Sequence, residues 1–270
     1  MNKIVTYCKS YRNDVDRAKV LFESIVKFNE DNIPFYISVP TSDINIFKNE
    51  LGTDGYTIIS DEEIDVDNQG WAGQQIIKSQ FWKLGLCENY FCVDSDNQFI
   101  RPFYVNDFMF DDETPYTVCH ENKSFFEFMD KNPLQFDPYV SFCNDRKKIM
   151  ELFGREGIIY DFGPDPIIWS RKVWKSLFEN YIEPNELTFV DLIKFDPSEF
   201  TWYGEWLLTS KEIRLVPREE IFKNYHYRHQ YEADKQAGIT EQHLARYYLG
   251  ICLNSNMNDH HQRGDVKLKF

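Results

Sequence analysis

The sequence predicts an α/β fold, a parallel sheet with helices on both faces, and three observations carry that expectation. Short apolar runs rich in β-branched and aromatic residues alternate with amphipathic helical stretches through residues 3–93, the pattern of repeated βαβ units. With 270 residues, the chain exceeds a typical single domain but stays within reach of one α/β core with appended pieces. The run Tyr90-Phe91-Cys92-Val93 stops at Asp94-Ser95-Asp96, and the carboxyl ends of strands are where such sheets bind ligands.

Residues 3–8 (KIVTYC) read as a buried strand. After the polar loop KSYRND, Ala18, Leu21, Phe22, Ile25 and Val26 recur at helical spacing, with Asp14 as a reasonable N-cap. A strand at 33–40, a helix at 42–51 opened by Ser42 or Asp43, and a strand at 56–60 follow. Segment 71–86 reads as a helix whose Ile76, Ile77, Phe81, Trp82 and Leu84 form the apolar side, and it leads into the strand at 90–93. The second half is less regular, with strands expected at 115–121, 166–170 and 212–217, a helix at 170–181 and a terminal helix at 240–255.

Apolar residues make up 42% of the chain and aromatic residues 17%, with 23 Phe and 16 Tyr, which excludes a disordered polymer. A formal charge of −14 with no long basic block argues against a nucleic-acid partner. The six cysteines (Cys8, Cys87, Cys92, Cys119, Cys143, Cys252) show no CxxC pair and no zinc spacing, and read as reduced core thiols. The N-terminal residues lack the apolar core of a signal peptide and no 18-residue apolar stretch occurs, so a cytoplasmic protein is expected. The basic-leaning end at 263–270 reads as a solvated terminus, with a membrane-surface tail as the alternative.

Two aspartates at i and i+2 beyond a buried strand can turn toward one point, and two hard oxygen ligands there suit Mg²⁺ or Mn²⁺ with phosphate oxygens in the remaining positions. The alternative is a polar turn, since Asp-Ser-Asp-Asn is also good turn chemistry. On the helix before this strand, Gln74, Lys78 and Trp82 share one face.

From 71 to 103, and more loosely over roughly residues 3 to 230, the chain resembles GT-A-type nucleotide-sugar-dependent glycosyltransferases, especially bacterial branches in which a hydrophobic strand runs into a motif like VDSDNQFIRPF. The resemblance implies a GT-A (Rossmann-like) mixed sheet flanked by helices, in a single domain with a helical C-terminal extension. It divides the chain into a glycosyltransferase domain over 1–235, with about 1–105 binding the nucleotide sugar and about 106–235 the acceptor, and a C-terminal helix and tail over 236–270. Asp96 corresponds to the direct metal ligand, Asp94 to the position that contacts ribose or supports the metal, and Ser95 to the variable middle position. In the loop from Tyr7 to Asp14, Tyr11 could stack on the base and Arg12 could pair with a phosphate; a solvated turn is the alternative. Lys78 corresponds to a diphosphate or sugar contact and Gln74 or Gln75 to a sugar contact, with a plain surface charge as the other reading of Lys78.

On the acceptor side, Asp165 and Trp169 in YDFGPDPIIWS are candidates for sugar contacts, with a core role open for Trp169. Glu205 in FTWYGEWLL resembles the base of inverting enzymes. The family pattern has a second acid where this chain has Trp206, so Glu205 could instead hold the acceptor, as in retaining enzymes. In NYHYRHQY, His226 or His229 resembles a third metal ligand, with His226 nearer the strand end; His260 and His261 sit in the tail.

The expected function is therefore metal-dependent transfer from a nucleoside-diphosphate-sugar donor, UDP-sugar favoured, to a glycan or glycolipid hydroxyl. Bacterial surface polysaccharide synthesis at the inner face of the membrane is the implied setting. A non-catalytic carbohydrate or nucleotide-sugar binding module is the main alternative. A sugar nucleotidyltransferase fits less well, because its Gly-rich first loop is replaced here by CKSYRND.

Overall fold

The computed structural model describes residues 1–66, 70–131 and 137–254. His260, His261 and the basic end lie outside the described residues.

The first strand, β1 (Asn2–Lys9), becomes buried from Ile4 onward, which is why its sequence is a continuous apolar run rather than an alternating one. It leads to α1 (Val15–Phe28), whose Ala18, Leu21, Phe22 and Ile25 form one buried stripe. Each large side chain in that stripe contributes roughly 1.5–3 kcal/mol of burial. Then come β2 (Phe35–Val39), α2 (Ile44–Leu51) and β3 (Thr57–Ser60). Ser60 and Glu63 form a reciprocal capping box that opens the short α3 (Asp61–Ile64). Asp14 and Asp43 do precede α1 and α2, but neither side chain caps its helix; Asp14 pairs with Arg17 and Asp43 with Arg12.

Helix α4 (Gly70–Gln80) and a tight turn over Phe81–Leu84 lead to β4 (Cys87–Cys92) and β5 (Asn97–Phe99). The second half supplies β6 (Thr117–Val118), α5 (Lys123–Lys131), α6 (Pro138–Leu152), β7 (Ile167–Ser170), α7 (Arg171–Leu177), α8 (Phe189–Phe195) and α9 (Glu199–Ser210). It ends with β8 (Pro217–Arg218), β9 (Phe222–Tyr225), α10 (Arg228–Gln236), α11 (Glu241–Leu244) and β10 (Gly250–Leu253).

The main sheet has the order β3-β2-β1-β4-β7, parallel except for β7, which runs antiparallel to β4. The expected mixed α/β sheet flanked by helices is thus the observed fold. One apolar layer packs Val5, Tyr7 and Tyr90 with residues of α4, α7, α8 and α9; the other packs Ile4, Cys8 and Phe91 with residues of α1 and α2. From β1 the chain winds outward through β2 and β3, then crosses to β4 on the other side of β1. The strand order therefore reverses between β1 and β4, and at such a switch point the ligand crevice of an α/β sheet is expected at the carboxyl ends of the strands.

Within the segment 240–255, expected as one helix, the described residues form a short helix followed by a strand. Its apolar run pairs as β10 between β5 and β9, tying the end of the described chain to the residues just after Asp96. Likewise, of the strand expected at 212–217 only Pro217 is in β8, paired with the two-residue β6. Among the described residues, no helix is long and apolar enough to cross a membrane.

Candidate metal centre

Strand β4 delivers Asp94 into the crevice. Val93 donates its N–H to the Tyr7 carbonyl at 2.9 Å, so the DSD turn starts while still attached to the central strand. The turn is closed by Asn97 N–H on the Asp94 carbonyl at 3.2 Å, and Leu253 of β10 donates to the Asp96 carbonyl at 3.0 Å. The turn chemistry expected of Asp-Ser-Asp-Asn is present, and it points two carboxylates one way.

A third carboxylate comes from the loop before β7. Oxygens of Asp94, Asp96 and Asp165 lie within 4.8 Å of one another, the group of potential metal ligands found among the described residues. Asp165 Oδ2 accepts from the Asp94 N–H at 3.0 Å and from Asn97 Nδ2 at 2.5 Å. The Asn97 amide is 2% exposed and its Oδ1 has no partner, leaving a buried acceptor beside the three acids. An all-oxygen set of this kind fits a hard divalent cation. Burial, and after it the Asp94 carboxylate, push Asp165 well above the usual carboxylate range, with Lys78 opposing.

Lys78 of α4 reaches the same point from beneath. Its Nζ lies 2.5 Å from Asp94 Oδ1 and 3.5 Å from Glu199 Oε1, the latter at the start of α9. Burial alone would lower Lys78, but Asp94 and then Glu199 outweigh it and hold the ammonium well above the usual lysine value. Glu199 is itself raised, chiefly by burial.

The other sequence candidates are distributed as follows. Ser95 is buried inside the turn and Gln74 is half-buried on α4. Tyr7 is a core residue, stacked on Phe81 with ring centroids 3.8 Å apart and its hydroxyl 2.8 Å from Ser38 Oγ. Tyr11 is half-buried in the first loop, and Arg12 beside it is bound to Asp43 through its backbone N–H and Nε, both at 2.8 Å. Trp169 is fully buried and packs edge-on against Tyr90 and Trp174, the core role left open for it.

Glu205 is fully buried, and both its oxygens are taken by Arg155, at 2.5 and 2.7 Å. His226 packs against Phe125 and His229 is stacked with Tyr227 and Phe128; neither is part of the three-carboxylate group. Burial, opposed by Asp161, lowers His226.

The sequence alone points to Asp165 only as a sugar contact and gives no metal-site role to Asn97 or Glu199. Asn97 directly follows the DSD motif. Glu199 shares a helix with Glu205, and its only signal was a second acid at the start of that aromatic segment.

A second polar cluster holds the Asp165 loop from the other side. Asp161, 3% exposed, accepts from Arg146 at 2.7 Å, Asn122 at 2.8 Å and the Gly163 N–H at 3.1 Å. His120 Nδ1 accepts from the Asn122 N–H, so Nε2 carries the proton given to the Gly163 carbonyl at 2.8 Å. Against this loop lies Gly204 of α9, where a Cβ would meet the Phe162 ring at 2.0 Å. Only glycine admits that contact.

A family model described as a family of unknown function, DUF6492, matches residues 3–263. No curated protein matches the chain. Among solved structures, that of mouse xyloside xylosyltransferase 1 in its apo form is similar over 95% of this chain and 99% of that one, with a TM-score of 0.49 and 9% identity.

Proposed function

The chain belongs to the DUF6492 family of unknown function, and from that premise we propose that it is a metal-dependent glycosyltransferase. It would move a sugar from a nucleoside-diphosphate-sugar donor, a UDP-sugar by preference, to a hydroxyl of a glycan or glycolipid. The observation that carries this reading is the convergence of Asp94, Asp96 and Asp165 at the crevice where the strand order reverses. The DxD resemblance supplies the reaction class.

In this reading the three aspartates would hold Mn²⁺ or Mg²⁺, which would supply stabilisation for the charge of a departing nucleoside diphosphate. Asn97 orients Asp165 and Asp96 through its amide, at 2.5 and 3.4 Å. Lys78 supplies the positive charge on the buried side. Tyr11 and Arg12 border the nucleotide; Ser95 and Gln74 border the donor sugar. A ligand role for His226, which lies outside the three-carboxylate group and packs against Phe125, would add a fourth side chain only on a shift of that residue. The setting we favour is bacterial surface polysaccharide synthesis on the cytoplasmic side of the membrane.

Glu205 can serve as base only if Arg155 releases it, since both oxygens are held. That observation favours the second reading, a nucleotide-sugar binding module without turnover. Both are tested by donor binding and hydrolysis across a panel of nucleotide sugars, with Mn²⁺ and with EDTA, on wild type and Asp96→Asn. A glycosyltransferase should turn over one donor in Mn²⁺ and lose about a hundredfold or more in the variant. Metal-dependent binding without turnover selects the module, and a fully active Asp96→Asn removes the metal mechanism.

A further inference from the structure

Two carboxylates, those of Asp94 and Glu199, contact the Lys78 ammonium, and Asp94 is also one of the three grouped aspartates with Asp96 and Asp165. They differ in access to water. The Asp94 side chain is 33% exposed, whereas Lys78 and Glu199 are 8% and 6% exposed. A divalent cation would approach Asp94 from its exposed side; the lysine already sits on Asp94 Oδ1 at 2.5 Å. Two cations on one carboxylate would repel each other, and the more so where burial lowers the effective dielectric, as it does around Lys78.

Glu199 offers the ammonium a second acceptor that needs no exit into water. Its Oε1 is already 3.5 Å from Nζ, and it lies in the first turn of α9, where the helix end favours a negative charge. A lysine side chain covers that distance by rotation about its own bonds, with the α4 backbone unmoved.

We propose that Lys78 is a tethered competitor of the metal ion, which yields Asp94 to an incoming divalent cation by shifting its ammonium onto Glu199. The proposal deepens the metal-dependent reading and rests on it. Linkage gives it a sign: whatever Lys78 gains on Asp94 is subtracted from metal affinity, and whatever it gains on Glu199 is returned. Glu199 thus strengthens metal binding without being a ligand, and Lys78 weakens it while holding the site together.

The experiment is a Mn²⁺ titration followed by electron paramagnetic resonance, on wild type, Lys78→Met, Glu199→Gln, the double variant and Asp96→Asn, with circular dichroism on each. Lys78→Met should bind Mn²⁺ at least about fivefold more tightly than wild type, and Glu199→Gln should bind it more weakly by a similar factor. In the Lys78→Met background, Glu199→Gln should have no effect, because no ammonium is left to receive. A glutamate that merely added negative potential would weaken binding in both backgrounds.

Should Lys78→Met alone fail to fold, the double variant removes both buried charges and is compared with Glu199→Gln. Tighter binding in the double variant supports the exchange, and equal or weaker binding overturns it. Unchanged or weaker binding by a folded Lys78→Met, or an unchanged Glu199→Gln, also overturns it while wild type and Asp96→Asn still differ. If wild type binds Mn²⁺ no more tightly than Asp96→Asn, the metal reading falls and takes the exchange with it.

Discussion

Asp161 and Asp165 lie four residues apart on the loop before β7, the first buried and the second half-buried, and their surroundings are opposite. Asp161 has three donors aimed at it, one of them the Arg146 guanidinium. Burial would raise its pKa, but Arg146 outweighs burial and the carboxyl is held below the usual range. Asp165 has two neutral donors and two carboxylate neighbours, and it is pushed the other way. One loop therefore carries a charge the fold has fully compensated and a charge that it has not. The first is the signature of a structural anchor. The second costs stability, and a cation is what would offset it.

The largest test of this contrast is to remove the compensated charge. Asp161→Ala leaves Arg146, 14% exposed, without its partner, and should cost about 3–5 kcal/mol in urea denaturation. A cost below about 1 kcal/mol would mean that the anchor is no anchor. Next is the linkage of metal to stability. Mn²⁺ at about a hundred times its Kd should add roughly 2.7 kcal/mol to wild type, and Asp165→Asn should lose most of that increment. Without added metal, Asp165→Asn should be neutral or stabilising by up to about 1 kcal/mol, discounted for solvent at a half-buried site. A strongly destabilised Asp165→Asn would place both aspartates in the same class and dissolve the comparison.

The contrast also explains what could be read from the sequence. Asp94, Asp96 and Lys78 were legible because each sits on or beside one strand or helix whose apolar period is plain, so position along the chain gives position in the fold. Residues 3–93 form local βαβ units, and most of their strands and helices lie near where the pattern puts them, although α3 is not expected, the helix expected over 71–86 ends at Gln80 and β4 starts at Cys87.

Asp165 and Glu199 were hidden because their place depends on contacts far away in sequence. The Asp94 N–H on Asp165 spans 71 residues and the Lys78–Glu199 contact 121. Strand β10 departs from the expected helix for a related reason. Its run Gly250-Ile251-Cys252-Leu253 is too short for period alone to separate helix from strand, and the decision is made by β5 and β9. Glu205 shows the converse: its sequence setting between Gly204 and Trp206 says nothing of Arg155, which arrives from 50 residues away.

The smallest predicted effect concerns acid. Because Asp161 titrates below its unfolded value, the unfolded chain binds more protons than the native one between the two values, so stability rises with pH across that window. The contribution is fully present above the ordinary aspartate value of about 3.9 and is lost as pH falls through the depressed native value. Asp161→Asn removes the titrating group, so its stability should fall less steeply on acidification, by up to about one proton in the slope. Urea midpoints of wild type and variant, followed from neutral pH down to about pH 3, measure this directly. Convergence of the two curves toward low pH is the expected result, since the contribution of Asp161 is progressively lost as pH falls below the unfolded aspartate value toward the depressed native one. Parallel curves would mean that Arg146 is satisfied by other groups, and that the loop carrying Asp165 is held by shape rather than by the charge at its base.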